Sequence, residues 1–590
     1  MCGICGEIRF DGRPASAEVI ARMKARLARR GPDAEGAFLD GPVGLGHRRL
    51  AVIDLSAASS QPMVDEEAGL ALVFNGAIYN YRELRAELIR RGHNFRSSGD
   101  TEVILRAYAE WGERCVERLY GMFAFAIRDR NRDSLFLARD RLGIKPLYYS
   151  HTARGFRFAS NSQALLAAGD VDMRLDRVAL HFHFTLHAVV PAPRTVLAGI
   201  RKLGPGCSLT LYADGRHTQR CYWSLCDVPT CSGISEWEWV ERVRESLTAA
   251  VKRRLEVADV PVGVLLSGGL DSSLLVALAA EAGVDEILTF SVGFEDQPEE
   301  RGSEFEYSDL VVDRYGTRHH KFAIPNSEVL QRLPEAIDAM AEPMVGQDAV
   351  AFYLLAERVS SVVKVVQSGQ GADEVFGGYF WYPAIAADRG ADVERFARHY
   401  FDRDHEEFRE MMQSADTGFD YTRTAMAARL AHAGGADLLD RVLRLDVTTL
   451  VVDDPVKRVD NMTMAWGLEA RVPFLDQDLV ELASAVPAGL RVRSGGKHLL
   501  KRIARGLLPD AVIDRPKGYF PVPALKYVRG EFLEFMREVL DSQACRERGL
   551  YRRAYVDRLL AAPDNHLTRI RGNKLWHLAA FEFWLQRNLG

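Results

Sequence analysis

Three stretches of this 590-residue chain carry side chains whose types and spacing could do chemistry. Met1 is followed at once by Cys2 in MCGICG, so removing one residue would expose an N-terminal cysteine. Its α-amine, with a pKa of about 7.7 to 8, can take the thiol proton in the role usually given to histidine. Ser267, Gly268, Gly269, Asp271 and Ser272 lie in SGGLDSS, between an apolar strand and a helix, where exposed backbone N–H groups at the helix start attract phosphate. That stretch lacks the lysine of a Walker A loop. SGQGADEVFGGY places Asp373 and Glu374 on a second acidic loop, and Asp271 with Asp373 forms a carboxylate pair suited to Mg²⁺ on nucleotide phosphates. Each stretch also has a plainer reading alone: a small apolar strand residue, a glycine turn, a solvated loop.

A thiol attacking a carboxamide needs fixed donors for the oxyanion, and Asn75 with Gly76 in FNGAIYN offers a side-chain amide beside a backbone N–H. A free α-amino acid also needs both charges held. Arg49 in HRRLAVID can take its carboxylate bidentately and Asp100 in SSGDTEVIL its ammonium.

These groups must be positioned by two kinds of domain. Residues 1–223 show short β-rich segments punctuated by glycine, among them LALVFNGAIYNY, FAFAIRD and FRFAS, with helical stretches such as YRELRAELIRRG, which predicts an α+β layered domain. Residues 224–236 are polar, hold proline and glycine, and lack an apolar period, as a linker would. From Glu236 onward an amphipathic helix, EWVERVRESLTAAVKRRL, opens residues 237–590, and the strand–turn–helix units that follow predict an α/β doubly wound domain with ligands at the strand carboxyl ends.

Composition narrows the function classes. Hydrophobic residues make up 47% and net charge is −5, which suits a globular protein with sizeable cores and disfavours a nucleic-acid binder. The basic runs at residues 21–30 and 251–256 read as solvated helix faces. No apolar run is long enough to span a membrane and no signal peptide is visible, so the expected location is cytoplasmic. Cys221, Cys226 and Cys231 lack zinc spacing. A homodimer stays open.

In this order, MCGICGEI, RGPD, GHRRLAVIDLS, FNGAIYNY, GDTEVIL, GMFAFAI and RDRLGIKPLYY resemble the glutaminase domain of class II glutamine amidotransferases. The resemblance implies an N-terminal nucleophile (Ntn) fold in which Cys2 forms a thioester with glutamine and releases ammonia, with Arg49, Asn75, Gly76 and Asp100 at the glutamine site. Where asparagine synthetases have a glutamate after the NG pair, this chain has Ala77. SGGLDSS is similar to the PP-loop of enzymes that adenylate a substrate and release pyrophosphate. KRVDNMTMAWGLEARVPFLD and RPKGYF extend the resemblance to the asparagine synthetase family. It implies ATP and Mg²⁺ as cofactors, Lys517 against the phosphates, Leu266, Val292, Ser368 and Gly369 around the adenosine, and a closed passage for unprotonated ammonia.

Gln370 stands where that family has a glutamate placed to take a proton as ammonia attacks the acyl-adenylate, and an amide cannot act as a base at neutral pH. AEPMVGQDAVAFYLLAERVS, SGQGADEVFGGYFWYP and HAVVPAPRTVL resemble the N-acetylglutaminylglutamine amidotransferase subfamily, which implies an acetylated dipeptide as carboxylate acceptor. Tyr379, Phe380, Trp381 and Tyr382 would then line a roomier pocket or form a buried patch. Aspartate is the alternative acceptor, a cyclising synthetase of the β-lactam type is more distant, and an inactive glutamine or nucleotide sensor is the non-enzyme alternative.

Overall fold

The computed structural model describes residues 2–413, 418–515 and 522–590. Its N-terminal part is a sandwich of two six-stranded antiparallel sheets. One runs Arg201–Lys202, Tyr148–Thr152, Gly155–Ala159, Gly3–Arg9, Val43–Arg49, Ala34–Asp40. The other runs His217–Cys221, Cys207–Tyr212, Ser134–Arg139, Gly121–Asp129, Leu70–Ile78, Met63–Asp65. Alternation along the strands explains the layers. Ala71 and Val73 point between the sheets with Ile4, Leu45, Ala124 and Phe158, whereas Leu70, Leu72 and Phe74 turn to the helices Tyr81–Arg90 and Asp100–Trp111. Buried on both faces, Leu70–Ile78 reads as a continuous apolar run rather than an alternating one. A disulfide joins Cys207 to Cys221, which face each other across the last hairpin.

The second part is a five-stranded parallel sheet ordered Arg318–Ile324, Leu288–Phe294, Val262–Leu265, Val365–Gln367, Glu469–Arg471. Numbered along the chain that is 3-2-1-4-5, the doubly wound order, and its topological switch point lies between Val262–Leu265 and Val365–Gln367. The loops after those two strands are SGGLDSS and SGQGADE, so the fold brings both motifs to one crevice.

The stretch expected as a linker is strapped down: Leu225 is buried, Thr230 Oγ1 donates to Asp440 at 2.7 Å, and the Cys231 N–H donates to Ala485 O at 2.8 Å. The next helix, Glu236–Glu256, is capped by Ser235, whose hydroxyl accepts from the Glu238 N–H. The solvated reading of the two basic runs needs correction. Arg254 is buried, bonded to Asp476 at 2.7 Å and stacked over Tyr79 of the N-terminal part, and Arg30 is buried against Asp460 at 2.9 Å. Partners from distant segments, invisible to local periodicity, draw them inward. Among the described residues no helix is long and apolar enough to cross a membrane.

Candidate active site

Cys2 enters the first strand buried, and its backbone N–H donates to Asn75 Oδ1 at 2.9 Å. Asn75, on Leu70–Ile78, is wholly buried, and its Nδ2 has no protein partner. A buried, unspent amide donor beside a thiol is what an oxyanion requires. Gly76 lets that strand approach its neighbour: a Cβ there would lie 2.1 Å from Met122 O and 2.8 Å from Phe123 Cα. Gly76→Ala must therefore push two backbones apart, and we expect a loss of about 2 kcal/mol in chemical denaturation, the usual range for overpacking.

Burial pushes the Cys2 thiol pKa up, with the Arg49 charge opposing. Arg49 is buried and donates from Nη1 to Ser56 O at 2.8 Å and from Nη2 to Asp54 O, so part of its fork braces the 54–56 loop. Asp100 starts its helix almost fully buried, accepts from the Ile78 N–H at 3.0 Å, and is pushed up by burial to about 7. Where Ala77 leaves no carboxylate, an acid arrives from the second part. Glu469, fully buried on the edge strand, exerts its charge on both Cys2 and Asp100. Burial raises its own pKa, yet the positive charges around it, Arg471 and Lys145 among them, hold it down at about 2. Joining the two parts, Asp460 accepts from Arg30 at 2.9 Å and Lys145 at 3.3 Å, all three buried.

The second site is a cavity of about 560 Å³ at the switch point, well within the size range of small-molecule sites. Leu266, Ser267, Gly269, Asp271, Ser272, Val292, Ser368, Gly369, Gln370 and Asp373 all line it. The loop is self-braced: Ser272 Oγ accepts from the Ser267 N–H at 3.1 Å, and the helix Leu270–Glu281 starts immediately after it. Gly268 does not line the cavity. It holds φ +72° with its Cα against the backbone of Ser308, where a Cβ would come within 2.6 Å of that residue's N, so it shapes the turn that aims its neighbours.

Asp271 and Asp373 do meet, on either side of an ammonium that the sequence did not single out. Lys497 Nζ lies 2.6 Å from Asp271 Oδ2 and 2.8 Å from Asp373 Oδ1, and the two carboxylates hold its pKa above the ordinary value. Two carboxylates gathered around a positive charge have the donor set and spacing for Mg²⁺, so the residues fit that ion. Lys517 lies outside the described residues. The other lining carboxylates are engaged: Asp348 and Asp454 flank Arg458 at 2.9 and 2.6 Å, Glu304 binds Arg515 at 2.6 Å, and Glu374 and Asp446 accept the Tyr379 and Tyr382 hydroxyls. The four aromatics divide. Tyr379 and Trp381 line the cavity in a stack 4.1 Å apart, Tyr382 is buried behind them, and Phe380 is 43% exposed.

Sequence reasoning assigned no role to Glu469 and Arg471, although LEAR carried both, and it passed over Lys497 in SGGKHLL. Only the glycine pair before Lys497 marks it locally; its left-handed φ of +54° shows the strain such a position holds.

Comparison with known proteins agrees with this geometry. The Asparagine synthase family model matches residues 242–586 and the Glutamine amidotransferase domain model residues 1–223. Asparagine synthetase [glutamine-hydrolyzing] 1 of Bacillus subtilis is 32% identical, covering 100% of this chain and 97% of its own. Asparagine synthetase [glutamine-hydrolyzing] 3 of the same organism is 32% identical over 92% and 91%, and Asparagine synthetase [glutamine-hydrolyzing] 2 of rice, Oryza sativa, is 29% identical over 90% and 77%. A glutamine amidotransferase domain of the Ntn type followed by an asparagine synthase domain, matched along the chain by such relatives, places it in the glutamine-hydrolysing asparagine synthetase family of carbon–nitrogen ligases.

Proposed function

We propose that this chain is a glutamine-dependent, ATP-consuming amide synthase whose acceptor is the terminal carboxylate of N-acetylglutaminylglutamine. Cys2, freed at its amine, attacks the glutamine carboxamide; Asn75 and Gly76 stabilise the oxyanion, Arg49 and Asp100 hold the amino acid's charges, and ammonia leaves a thioester that water cleaves to glutamate. In the second site the acceptor carboxylate attacks the α-phosphate of ATP and pyrophosphate leaves. Ammonia then displaces AMP from the acyl-adenylate. The Ser267–Ser272 loop cradles the phosphates, Leu266, Val292, Ser368 and Gly369 bound the adenosine, and Lys497 with Lys517 supplies positive charge. Asp271 and Asp373 would hold Mg²⁺, which supplies charge neutralisation to the phosphates when bound.

The observation that carries the reading is the convergence of both loops, the carboxylate pair and Gln370 on one cavity. The acceptor is argued from Gln370 and from a second amide in the lining, Gln347, which together suit a neutral peptide body. Buried Gln347 Oε1 has no protein partner, leaving an acceptor for a peptide N–H. Aspartate is the second reading, and the relatives support it: those compared above are all named asparagine synthetases.

Pyrophosphate release with ATP, Mg²⁺ and glutamine decides between them. We expect release with the acetylated dipeptide to exceed release with equimolar aspartate at least about tenfold, the factor that roughly 1.4 kcal/mol of differential binding gives. Faster release with aspartate would establish the second reading.

A further inference from the structure

The cavity has one imidazole among its described lining residues, and it comes from the N-terminal part of the chain. His187 follows the helix Arg177–Thr185, inside the segment matched by the glutamine amidotransferase model. It and Ala188 both hold left-handed backbone, φ +53° and +61°, a conformation that non-glycine residues keep only where their surroundings impose it. The constraint is visible. Nδ1 donates to Asp402 Oδ2 at 3.0 Å, Asp402 is fully buried, and its own N–H donates to Thr185 O at 2.9 Å, tying it to the end of the same helix. With Nδ1 carrying the proton, Nε2 keeps its lone pair on the side of the ring away from Asp402, at a residue that opens to the cavity.

Amination needs a proton acceptor. Ammonia that has attacked a carbonyl carries a positive nitrogen, which must lose a proton for the leaving group, rather than the amine, to depart. Gln370 cannot take it, and the cavity's carboxylates are each bound to a cation or to a tyrosine hydroxyl. We propose that His187 is the general base of the amination step, with Asp402 as its positioning residue. The N–C bond forms as Nε2 takes one proton from the nitrogen. The tetrahedral adduct then breaks its C–O bond, AMP leaves with that electron pair, and the imidazolium returns its proton to water.

The surrounding charges suit the task. Burial pushes the His187 pKa down, but Asp402 and Asp454 outweigh both burial and Arg458, leaving it above the ordinary 6.5. Asp348 also faces it, and buried His183 and His577, both held well below the ordinary value, stay neutral. Its base form therefore fills as pH rises through the raised value, and amination should climb over that limb.

The inference rests on the amide synthase reading, and measuring the two half-reactions separately distinguishes their failures. Aspartate and N-acetylglutaminylglutamine are each supplied to the unmodified protein, and ATP–pyrophosphate exchange is measured; no acceptor-dependent exchange with either would overturn the reading itself. His187→Ala and His187→Gln are then assayed with whichever acceptor is active, at a fixed concentration of free ammonia. We expect exchange within about twofold of the unmodified protein and amide formation lowered about 10²-fold, the lower end of a general base's contribution. The low-pH limb should vanish, and added imidazole should restore amide formation to His187→Ala. Asp402→Asn should move the limb to lower pH. The proposal falls if exchange and amide formation drop in parallel in both His187 variants, or if His187→Gln forms amide at the original rate with its limb in place.

Discussion

Cys2→Ala should lose glutamine-dependent amide formation by at least about 10³-fold while ammonium salts still support it at nearly the original rate. The size follows from removing a nucleophile rather than a helper, since no neighbouring group can make the thioester in its place. His47 lies close by, but burial holds it down at about 3, and its Nε2 is committed to Phe74 O at 3.2 Å. Survival of the ammonia reaction follows from the separation of the two sites. Cys2 is absent from the second cavity, and replacing its thiol by a methyl group leaves the strand Gly3–Arg9 paired on both sides. Measurement needs two assays on one preparation: glutamate released from glutamine, and amide formed from ammonium chloride. Retained glutamate release would remove Cys2 from its role. A parallel fall in the ammonia reaction would mean that Cys2 also braces the partner domain, for which Arg30 offers a route, its Nε lying 3.4 Å from Cys2 O and its Nη1 on Asp460.

What the sequence made legible was whatever a single short segment completes by itself. Asn75–Gly76 lies within one strand and Ser267–Ser272 closely follows another, each with its own glycine, and their chemistry can be read from a few neighbouring residues. The order of the parallel sheet was legible only as a class, because strands of three or four residues such as Val365–Gln367 carry too little pattern to fix their neighbours. Glu469, Lys497 and His187 were not legible as site residues at all. Glu469 reaches the Cys2 site across hundreds of residues, Lys497 meets Asp271 from 226 positions away, and His187 stands in the second cavity while belonging to the first matched segment. The basic runs failed for the same reason. Arg30 and Arg254 look like helix-surface charges until Asp460 and Asp476, from distant turns of chain, supply buried partners that make their desolvation tolerable.

Lys497→Met should slow pyrophosphate release by about 10² to 10³-fold, the usual loss when one charge-stabilising group is taken from a reacting centre. It should also destabilise the chain by about 2 kcal/mol, below the range for a fully buried broken ion pair because the carboxylates retain some contact with water. The geometry leaves little room for relaxation. A Cβ on Gly378 would fall 2.1 Å from Asp373 Oδ1 and 2.3 Å from Lys497 Cε, so the acid and the lysine stem are packed against that backbone. Once the ammonium is gone, Asp271 and Asp373 share the site as like charges, and one of them keeps its proton to a higher pH than it would in the unfolded chain. A carboxyl whose folded-state pKa is raised contributes stability that is fully present below its unfolded value, about 4, and is lost as pH rises through the folded one, so the variant's deficit should deepen as pH rises above about 4. Mg²⁺ should reverse the deficit. In the unmodified chain a divalent ion must share the carboxylates with Lys497, a competitor that the variant lacks, and a ligand that binds only the folded state stabilises in proportion to its tighter binding. Urea unfolding with and without millimolar Mg²⁺ measures this directly, and the shift in midpoint should be larger for Lys497→Met. Equal shifts in the two proteins, with pyrophosphate release left near the original rate, would show that Lys497 is a structural counter-ion and that the cation binds elsewhere.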